Sequence, residues 1–303
     1  MAMPKVVVFG GSGFVGTSIC DRLTQLGYAN VIPAREKERV LSIESNPLSQ
    51  ALIVTDLSEK EIDAVMQTIS PEDVVMNLVG ILHASPGEPY GPEFKQAHVD
   101  LPERIMQSMK KYGVKRYLHM SALGADPHGP SMYLRSKGVA EILVKKSRLD
   151  WTIFRPSVVF GKNDSFINMF GKLQQFFPMM PLAGSANLFQ PVAVQDVALA
   201  FVEAIQMPIT CHQSYDLAGP EVLTLAEIIQ FAAKKQGVKR PILRLPDWMG
   251  YLQALVLEKM PGKKIMSRDN VASMKVPSVL PAGQANALLE VFGIEPTRLE
   301  SLL

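Results

Sequence analysis

The sequence predicts an α/β protein built on a doubly wound parallel sheet, with a smaller C-terminal lobe on the substrate side. Three observations carry this prediction. A glycine-rich turn follows the first apolar run, apolar runs and amphipathic stretches alternate behind it, and no internal repeat or low-complexity linker interrupts them. The chain has 303 residues, 47% of them hydrophobic, which is enough to bury a substantial core in one large domain or two closely joined lobes.

The glycine-rich turn lies between an apolar run, Val6–Phe9, and an amphipathic stretch at 17–26. These stretches predict a buried strand and a helix. Such a turn directs backbone N–H groups and the positive end of the helix dipole to one place, and glycine lacks the Cβ atom that would block a pyrophosphate. An ordinary tight loop is the alternative. The predicted nucleotide contacts are Gly10, Ser12, Gly13, Phe14, Val15 and Gly16.

Further apolar runs continue the α/β order. They lie at 31–33, 51–55, 74–79 and 115–120, with helical stretches between them. Right-handed crossovers then build a parallel sheet covered on both faces, with ligands at the carboxyl ends of the strands. Residues 1–160 are therefore predicted to form a dinucleotide-binding core of the Rossmann type, to which 188–218 return. Residues 161–187 and 219–303 are predicted to form the smaller lobe, on the side of the substrate or partner.

Arg35 predicts the choice of cofactor. It follows the glycine turn by about 20 residues, where an acid binds the ribose hydroxyls of NAD and a base favours the 2′-phosphate of NADP. A guanidinium grips a phosphate with two hydrogen bonds, so NADP(H) is favoured. If the strand ends one residue later, Glu36 takes the ribose and NAD(H) binds instead. A solvated charged loop at 35–39 is the remaining alternative.

Two other strand ends are predicted to approach the nucleotide. Asp56 and Leu57 follow the third strand, where a carboxylate lies near the adenine amino group. Asp56 also precedes a helix start and is an equally good candidate for a helix cap. Leu78, Val79 and Gly80 end the fourth strand, where a glycine permits close approach of the nucleotide or simply forms a turn.

Tyr133 and Lys137 begin a helix that follows the predicted fifth strand, and Ser121 lies at the end of that strand. A spacing of four places the phenol and the ammonium on one helix face, so the lysine favours the tyrosinate and brings its pKa closer to the range useful for proton transfer. Ser121 is predicted to polarise a substrate carbonyl. An exposed helix without a catalytic role is the alternative.

The order of these motifs resembles the extended or atypical short-chain dehydrogenases/reductases, among them NAD-dependent epimerases and dehydratases. The resemblance covers most of the chain. It implies that Pro156, Ser157 and Val158 lie beside the nicotinamide and that the C-terminal third covers the substrate. The motifs that carry it are Gly10-x-x-Gly13-x-x-Gly16, Ser121-Ala122, Tyr133-x-x-x-Lys137 and the stretches at 154–161 and 192–198.

A narrower resemblance rests on the stretches at 133–141, 161–168 and 267–271, which look like the nucleotide-binding accessory subunit of respiratory complex I and its bacterial relatives. It implies an NADPH held for structure, away from the electron-transfer chain, and a link of some members to quinone biosynthesis.

Two positions depart from the broader pattern. His98 stands where many extended members carry asparagine. Ser121 precedes Tyr133 by a shorter connection than in sugar-nucleotide epimerases, which argues against UDP-sugar chemistry.

The composition limits the classes of partner and the cellular location that can be expected for this chain. A net charge of +2, from 31 basic and 29 acidic residues, argues against a protein that coats nucleic acid. Cys20 and Cys211 form no paired framework, and the histidines show no metal-ligand spacing, so no metal is expected. Without a predicted leader peptide or membrane span, we expect a cytoplasmic protein, or one peripheral to the inner face of the membrane. The apolar stretch at 245–260 is predicted to be core, or to dock on a membrane or a partner.

Two functions follow from these residues. The first is an NADP-dependent oxidoreductase or isomerase that acts on a carbonyl or alcohol of an unknown small molecule, with Tyr133 as acid or base, Lys137 tuning it and Ser121 orienting the oxygen. The second is a non-catalytic accessory or assembly factor of respiratory complex I or of quinone biosynthesis, in which bound nucleotide stabilises the native fold.

Overall fold

A computed structural model describes residues 3–35, 46–164, 166–176, 178–259 and 266–302. Most of its strands form one parallel sheet, and the rest form short pairs beside it. The strands are β1 (Val6–Phe9), β2 (Asn30–Ala34), β3 (Ser49–Ile53), β4 (Val74–Asn77), β5 (Arg116–Met120), β6 (Asp150–Pro156), β7 (Val159–Phe160), β8 (Met180–Ala183), β9 (Leu188–Phe189), β10 (Val192–Ala193), β11 (Gln213–Leu217), β12 (Leu223–Thr224) and β13 (Ile242–Leu245).

Within the described ranges the main sheet has seven strands in the order β11-β6-β5-β4-β1-β2-β3, and every pairing in it is parallel. The chain builds outward from β1 to β3, then crosses back and builds outward in the other direction from β4. The carboxyl ends of β1 and β4 therefore meet where the strand order reverses, which is the position at which such sheets bind ligands. The predicted Rossmann-type architecture is confirmed.

Helices cover both faces of this sheet. Successive side chains of β1 point to opposite faces, so that Val6 and Val8 pack in one core cluster and Val7 and Phe9 in another. Since all four are apolar, both faces of the sheet must be covered. The helices are α1 (Phe14–Gln25), α2 (Glu59–Met66), α3 (Pro92–Phe94), α4 (Leu101–Tyr112), α5 (Met132–Lys146), α6 (Phe166–Phe176), α7 (Val194–Glu203), α8 (Leu225–Lys235), α9 (Asp247–Lys259), α10 (Arg268–Ser273) and α11 (Ala287–Glu290).

Two predicted boundaries shift for identifiable reasons. Helix α1 begins at Phe14 rather than at 17, because Gly13 adopts an extended backbone and ends the turn there. Strand β3 ends at Ile53 rather than at 55, because the amides of the next residues turn toward the Glu61 carboxylate. The chemistry of a turn or cap, which hydropathy does not read, sets both ends.

The smaller lobe has its own core, in which α6 and α8 pack together and β8 pairs with β13. Strand β11 joins the main sheet and α7 packs on α1. Residues 287–294, which the sequence assigns to the smaller lobe, instead place Leu288 and Ile294 in the core cluster on the α1 side of the sheet. Their apolar side chains cover the edge strand β11. No helix in the described ranges has both the length and the apolar character to cross a bilayer.

Candidate functional site

The glycine turn brings β1, the loop after β4 and α1 into close contact. Gly10 has φ +83°, and a Cβ atom on it would lie 3.1 Å from the backbone of Leu78 and Val79. A Cβ atom on Gly16 would lie 2.2 Å from the Gly10 carbonyl oxygen. These contacts require glycine. The first turn of α1 carries no acidic residue. Its N–H groups and dipole therefore present an uncompensated positive end to the crevice between the carboxyl ends of β1 and β4.

The predicted adenosine side is only partly described. Arg35 directly follows β2 at the carboxyl edge of the sheet, with an exposed side chain. Glu36, the residue on which the NAD(H) alternative depends, lies outside the described residues, as do 37–39. The 2′-phosphate role of Arg35 therefore stays a prediction.

Asp56 closes a turn rather than capping a helix. Its Oδ1 atom accepts the Ser58 amide at 2.9 Å, and Ser58 is the N-cap residue of α2. The carboxylate that organises this turn belongs to Glu61, which accepts hydrogen bonds from Thr55 and from the amide of Leu57. The Thr55 hydroxyl is the largest cause that lowers the pKa of Glu61 to about 2. Asp56 itself stays exposed at the sheet edge, where contact with the adenine remains a prediction.

Lys137 is the most deeply buried charge of the site. It is 2% exposed, and its Nζ atom donates to the Met120 carbonyl oxygen at 3.0 Å. Burial lowers its pKa to about 8, against the opposing charge of Glu141. A Cβ atom on Gly80 would lie 3.4 Å from this Nζ atom. The glycine after β4 therefore opens the crevice beside the lysine ammonium.

Tyr133 lies one helical turn before Lys137, in an aromatic corner. Its ring packs edge-on against His98, with centroids 5.6 Å apart, and against Phe94 at 6.1 Å. Burial raises the pKa of Tyr133 to about 12. Burial therefore determines the pKa of the phenol here, and the prediction that Lys137 lowers this pKa is wrong for this structure.

His98 is held as a neutral ring by two protein contacts. Its Nε2 atom accepts the Ile81 amide at 3.0 Å, which leaves the proton on Nδ1 for the Ser136 hydroxyl at 2.8 Å. Burial first, then Lys137 and His119, lower the pKa of His98 to about 2. The ring sits in a π-helical turn at Lys95–Asp100. A ring with both nitrogens engaged orients the loop after β4 rather than relaying protons.

Ser121 directs its hydroxyl away from the role predicted for it. The Oγ atom donates to Oε1 of the buried Glu141 at 2.6 Å, and Arg155 donates to the same oxygen at 2.8 Å. Although burial opposes ionisation, hydrogen bonds from Arg155 and Ser121 keep the pKa of the Glu141 carboxyl below its usual value. To polarise a substrate carbonyl, Ser121 must give up a charge-assisted hydrogen bond.

The segment after β6 is covered by a distant part of the chain. The hydroxyl of Ser157 donates to the Ser278 carbonyl oxygen at 2.7 Å, and its amide donates to Leu217. Pro156 ends β6, and Val158 packs at the edge of the smaller lobe's core. Their predicted position beside the nicotinamide stays a prediction.

A match to a family model identifies the family of this chain. A family model described as "NAD(P)H-binding" matches residues 10–208. The chain belongs to the NAD(P)H-binding family. This match spans the glycine turn, the strand ends of the core, and Tyr133 and Lys137.

Curated relatives and solved structures show what the chain is similar to. The mouse (Mus musculus) mitochondrial protein NADH dehydrogenase (ubiquinone) 1 alpha subcomplex subunit 9 is 28% identical over 97% of this chain and 77% of its own length. The 40 kDa subunit of NADH-ubiquinone oxidoreductase from Neurospora crassa is 29% identical over 87% of this chain and 68% of its own. UDP-glucose 4-epimerase of Thermus thermophilus, solved with NAD, has a TM-score of 0.65 and 18% identity, over 89% of this chain and 99% of that one. The predicted resemblance to the complex I accessory subunit is confirmed, and the solved structures confirm the Rossmann-type fold.

Sequence reasoning missed how the NAD(P)H-binding core is tied to the C-terminal third. Asp269 of α10 accepts the amides of Met132 and Tyr133, at 2.7 and 3.1 Å, and so caps α5 from a distant segment. The Ser273 hydroxyl donates to Ser131 in the same turn. The signal in the sequence was Ser267 three residues before Asn270, which forms a capping box at the start of α10.

Proposed function

We propose that this protein holds NADP(H) as a non-catalytic accessory of a membrane-bound respiratory complex or of its assembly. The observation that carries the proposal is the commitment of Ser121 to the buried carboxylate of Glu141. The neutral His98 ring and the unlowered pKa of Tyr133 support the same reading. The Ser121 hydroxyl is bound to Glu141, both nitrogens of the His98 ring are engaged, and burial makes the Tyr133 phenol a weaker acid. Such a site favours retention of a nucleotide over turnover.

The residues present fit a dinucleotide. The pyrophosphate would lie at the Gly10–Gly16 turn and α1, and the 2′-phosphate against Arg35. In the described ranges the Lys137 ammonium has one hydrogen-bond acceptor, the Met120 carbonyl oxygen. A primary ammonium carries three donors, so a ribose with two hydroxyls beside Gly80 would satisfy the others. This requirement supports Lys137 as a ribose ligand.

The membrane-proximal location is part of the proposal. The first turns of α9 expose Trp248 (68%) and Leu252 (55%), and Val256 (57%) continues the same helix face. Met260, which ends the predicted docking stretch, and the flanking lysines Lys263 and Lys264 lie outside the described residues. A cytoplasmic protein with this stripe fits a peripheral position at the inner face of the membrane, against a partner complex.

The test is mass spectrometry of the mildly purified protein from its native cells, with identification of retained nucleotide and stoichiometric partners. The proposal expects unreacted NADPH together with subunits of a respiratory complex. A partner-free protein whose bound NADPH is oxidised by a panel of carbonyls and quinones would contradict it.

An oxidoreductase or isomerase is the second candidate, favoured by the presence of Tyr133 and Lys137 on successive turns of α5, with the Lys137 ammonium beside Gly80. Bound NADP(H) would supply hydride transfer at the nicotinamide. Tyr133 would donate a proton to a substrate oxygen or accept one from it, and Lys137 would stabilise the tyrosinate. Ser121 would have to rotate from Glu141 to reach the same oxygen.

Replacement of Tyr133 by Phe separates the two functions. The substitution keeps the ring contacts with Phe94 and His98 and removes only the hydroxyl. For an enzyme we expect unchanged NADPH affinity and a loss of turnover of about 100-fold or more. Turnover that persists undiminished would remove Tyr133 from the mechanism, and no turnover in the parent protein under any substrate would favour the accessory role.

A further inference from the structure

A cleft of about 320 Å³ lies in the smaller lobe, between the loop after β8 and the helices α9 and α10. It is outside the crevice of the glycine turn. This volume is at the lower end of the range of small-molecule sites. Its lining divides into an apolar part and a polar part. The apolar side chains include Met266, Val271 and Met274, and the polar ones are Asn187, Tyr251 and Lys275.

The polar side chains of this cleft have no hydrogen-bond partner in the described part of the chain. The backbone of Asn187 is hydrogen-bonded to Gly184 and Leu225, whereas its side-chain amide forms no hydrogen bond with another described residue. The Lys275 ammonium lies 5.8 Å from the ring centre of Tyr251, and it has no ion-pair partner among the described residues. Three convergent polar groups beside an apolar wall are the composition expected of a ligand site.

We propose that this cleft binds a small amphipathic anion, an apolar chain that ends in a carboxylate or a phosphate. Met266, Val271 and Met274 would contact the chain, and methionine adapts to flexible apolar ligands. Lys275 and Asn187 would hold the anionic head as hydrogen-bond donors, with Tyr251 completing it. Because Lys275 is solvent-exposed, its ammonium is accessible to an anionic head, and a neutral head would not form the charge-assisted hydrogen bond with it.

The cleft and the first turn of α5 share one helix. Val271 lines the cleft from α10, and Met274 and Lys275 continue the turn of that helix. Asp269 and Ser273, on another side of α10, hold the first turn of α5. One short helix therefore contacts both the ligand and the backbone of Tyr133.

Isothermal titration calorimetry with decanoate below its micelle-forming concentration, and with decanol as the neutral match, tests this proposal. We expect the full-length protein to bind decanoate about tenfold or more tightly than decanol, the effect of one hydrogen bond to a charge. Lys275→Met should abolish this preference while keeping decanol binding. Lys60→Met, a matched loss of an exposed charge on α2, should change neither. Equal affinities for the two probes, or a preference that survives Lys275→Met, would overturn the proposal.

Two further arms distinguish the sources of the anion. Inorganic phosphate alone should bind far more weakly than decyl phosphate if the apolar wall contributes, and equal binding would argue against an amphiphile site. Vesicles that contain phosphatidylglycerol report surface docking. Vesicle binding without binding of monomeric decanoate would contradict the cleft. Val271→Trp, which fills the cleft, should remove binding of both probes, and Lys275→Met keeps the test independent of any effect of the larger side chain on folding.

Discussion

At the residue scale, the charges near the crevice differ in how far the fold constrains them. Arg35 is exposed at the end of β2, whereas Lys137 is enclosed between Met120, Gly80 and the aromatic corner. An exposed guanidinium loses little hydration until a phosphate arrives. A buried ammonium has already lost its hydration on folding. We therefore expect Arg35 to govern selectivity and Lys137 to govern pH dependence.

Arg35→Asp should discriminate between the two nicotinamide cofactors. A bidentate contact to the 2′-phosphate is replaced by repulsion, so we expect NADPH affinity to fall roughly 10- to 100-fold while NADH affinity changes little. Titration of both nucleotides by calorimetry measures this. Arg148→Asp, an exposed charge before β6 at the opposite edge of the sheet, is the control. Equal losses for the two nucleotides would defeat the 2′-phosphate assignment.

Lys137 should make stability rise with pH. Its pKa is lowered from 10.5 to about 8 in the folded protein. Between these values the unfolded chain binds the extra proton, so the free energy of unfolding increases as pH rises through this window. The difference in unfolding free energy between the parent and Lys137→Met should therefore grow in favour of the parent from about pH 8 to about pH 10. Urea titrations measure it, with Lys60→Met as control, and a difference independent of pH would show that the ammonium stays charged.

At the element scale, α5 is placed by its N-terminus. Ser131 caps it locally through the Leu134 amide, and Asp269 accepts the two preceding amides from another segment. Hydrogen bonds to N-terminal amides also compensate the positive end of the helix dipole. The backbone of Tyr133 is thus fixed by a contact that spans the core and the C-terminal third.

Asp269→Ala should loosen this helix start. We expect a loss of about 1 to 2 kcal/mol in the free energy of unfolding, together with faster hydrogen exchange at the Met132 and Tyr133 amides. Asp21→Ala, an exposed carboxylate within α1, should change neither. If exchange at these two amides is unaffected, α10 does not hold α5 in solution.

Element boundaries show where sequence reasoning stops. The apolar runs predict β1, β4 and β5 because a buried parallel strand must be apolar on both faces. The end of β3 depends on Glu61, and the start of α1 depends on the backbone of Gly13. The first is decided by hydrogen bonds to a side chain several residues further along, and the second by the conformation of one residue, and hydropathy periodicity reports neither.

At the scale of the whole molecule, bound nucleotide should act as a clamp across the carboxyl edge of the sheet. A ligand that binds only the native state adds RT ln(1 + [L]/Kd) to stability, about 2.7 kcal/mol at a free concentration 100 times Kd. We expect the free energy of unfolding, measured by urea titration, to rise with NADPH to this extent, and to rise less with NADH at equal concentration. Arg35→Asp should remove the difference. If the free energy of unfolding does not change when NADPH is added, the nucleotide does not bind the crevice of the native protein.

The sequence by itself determined the Rossmann-type core, the glycine turn and the Tyr133–Lys137 pair, because each depends on residues close together in the chain. Only the tertiary structure decided what these groups can do. Ser121 meets Glu141, His98 is held neutral by Ile81 and Ser136, and Asp269 reaches α5 from the far end of the chain. The pKa of a buried side chain and the availability of a hydroxyl depend on which distant groups surround them, and a local pattern of residues does not encode that surrounding.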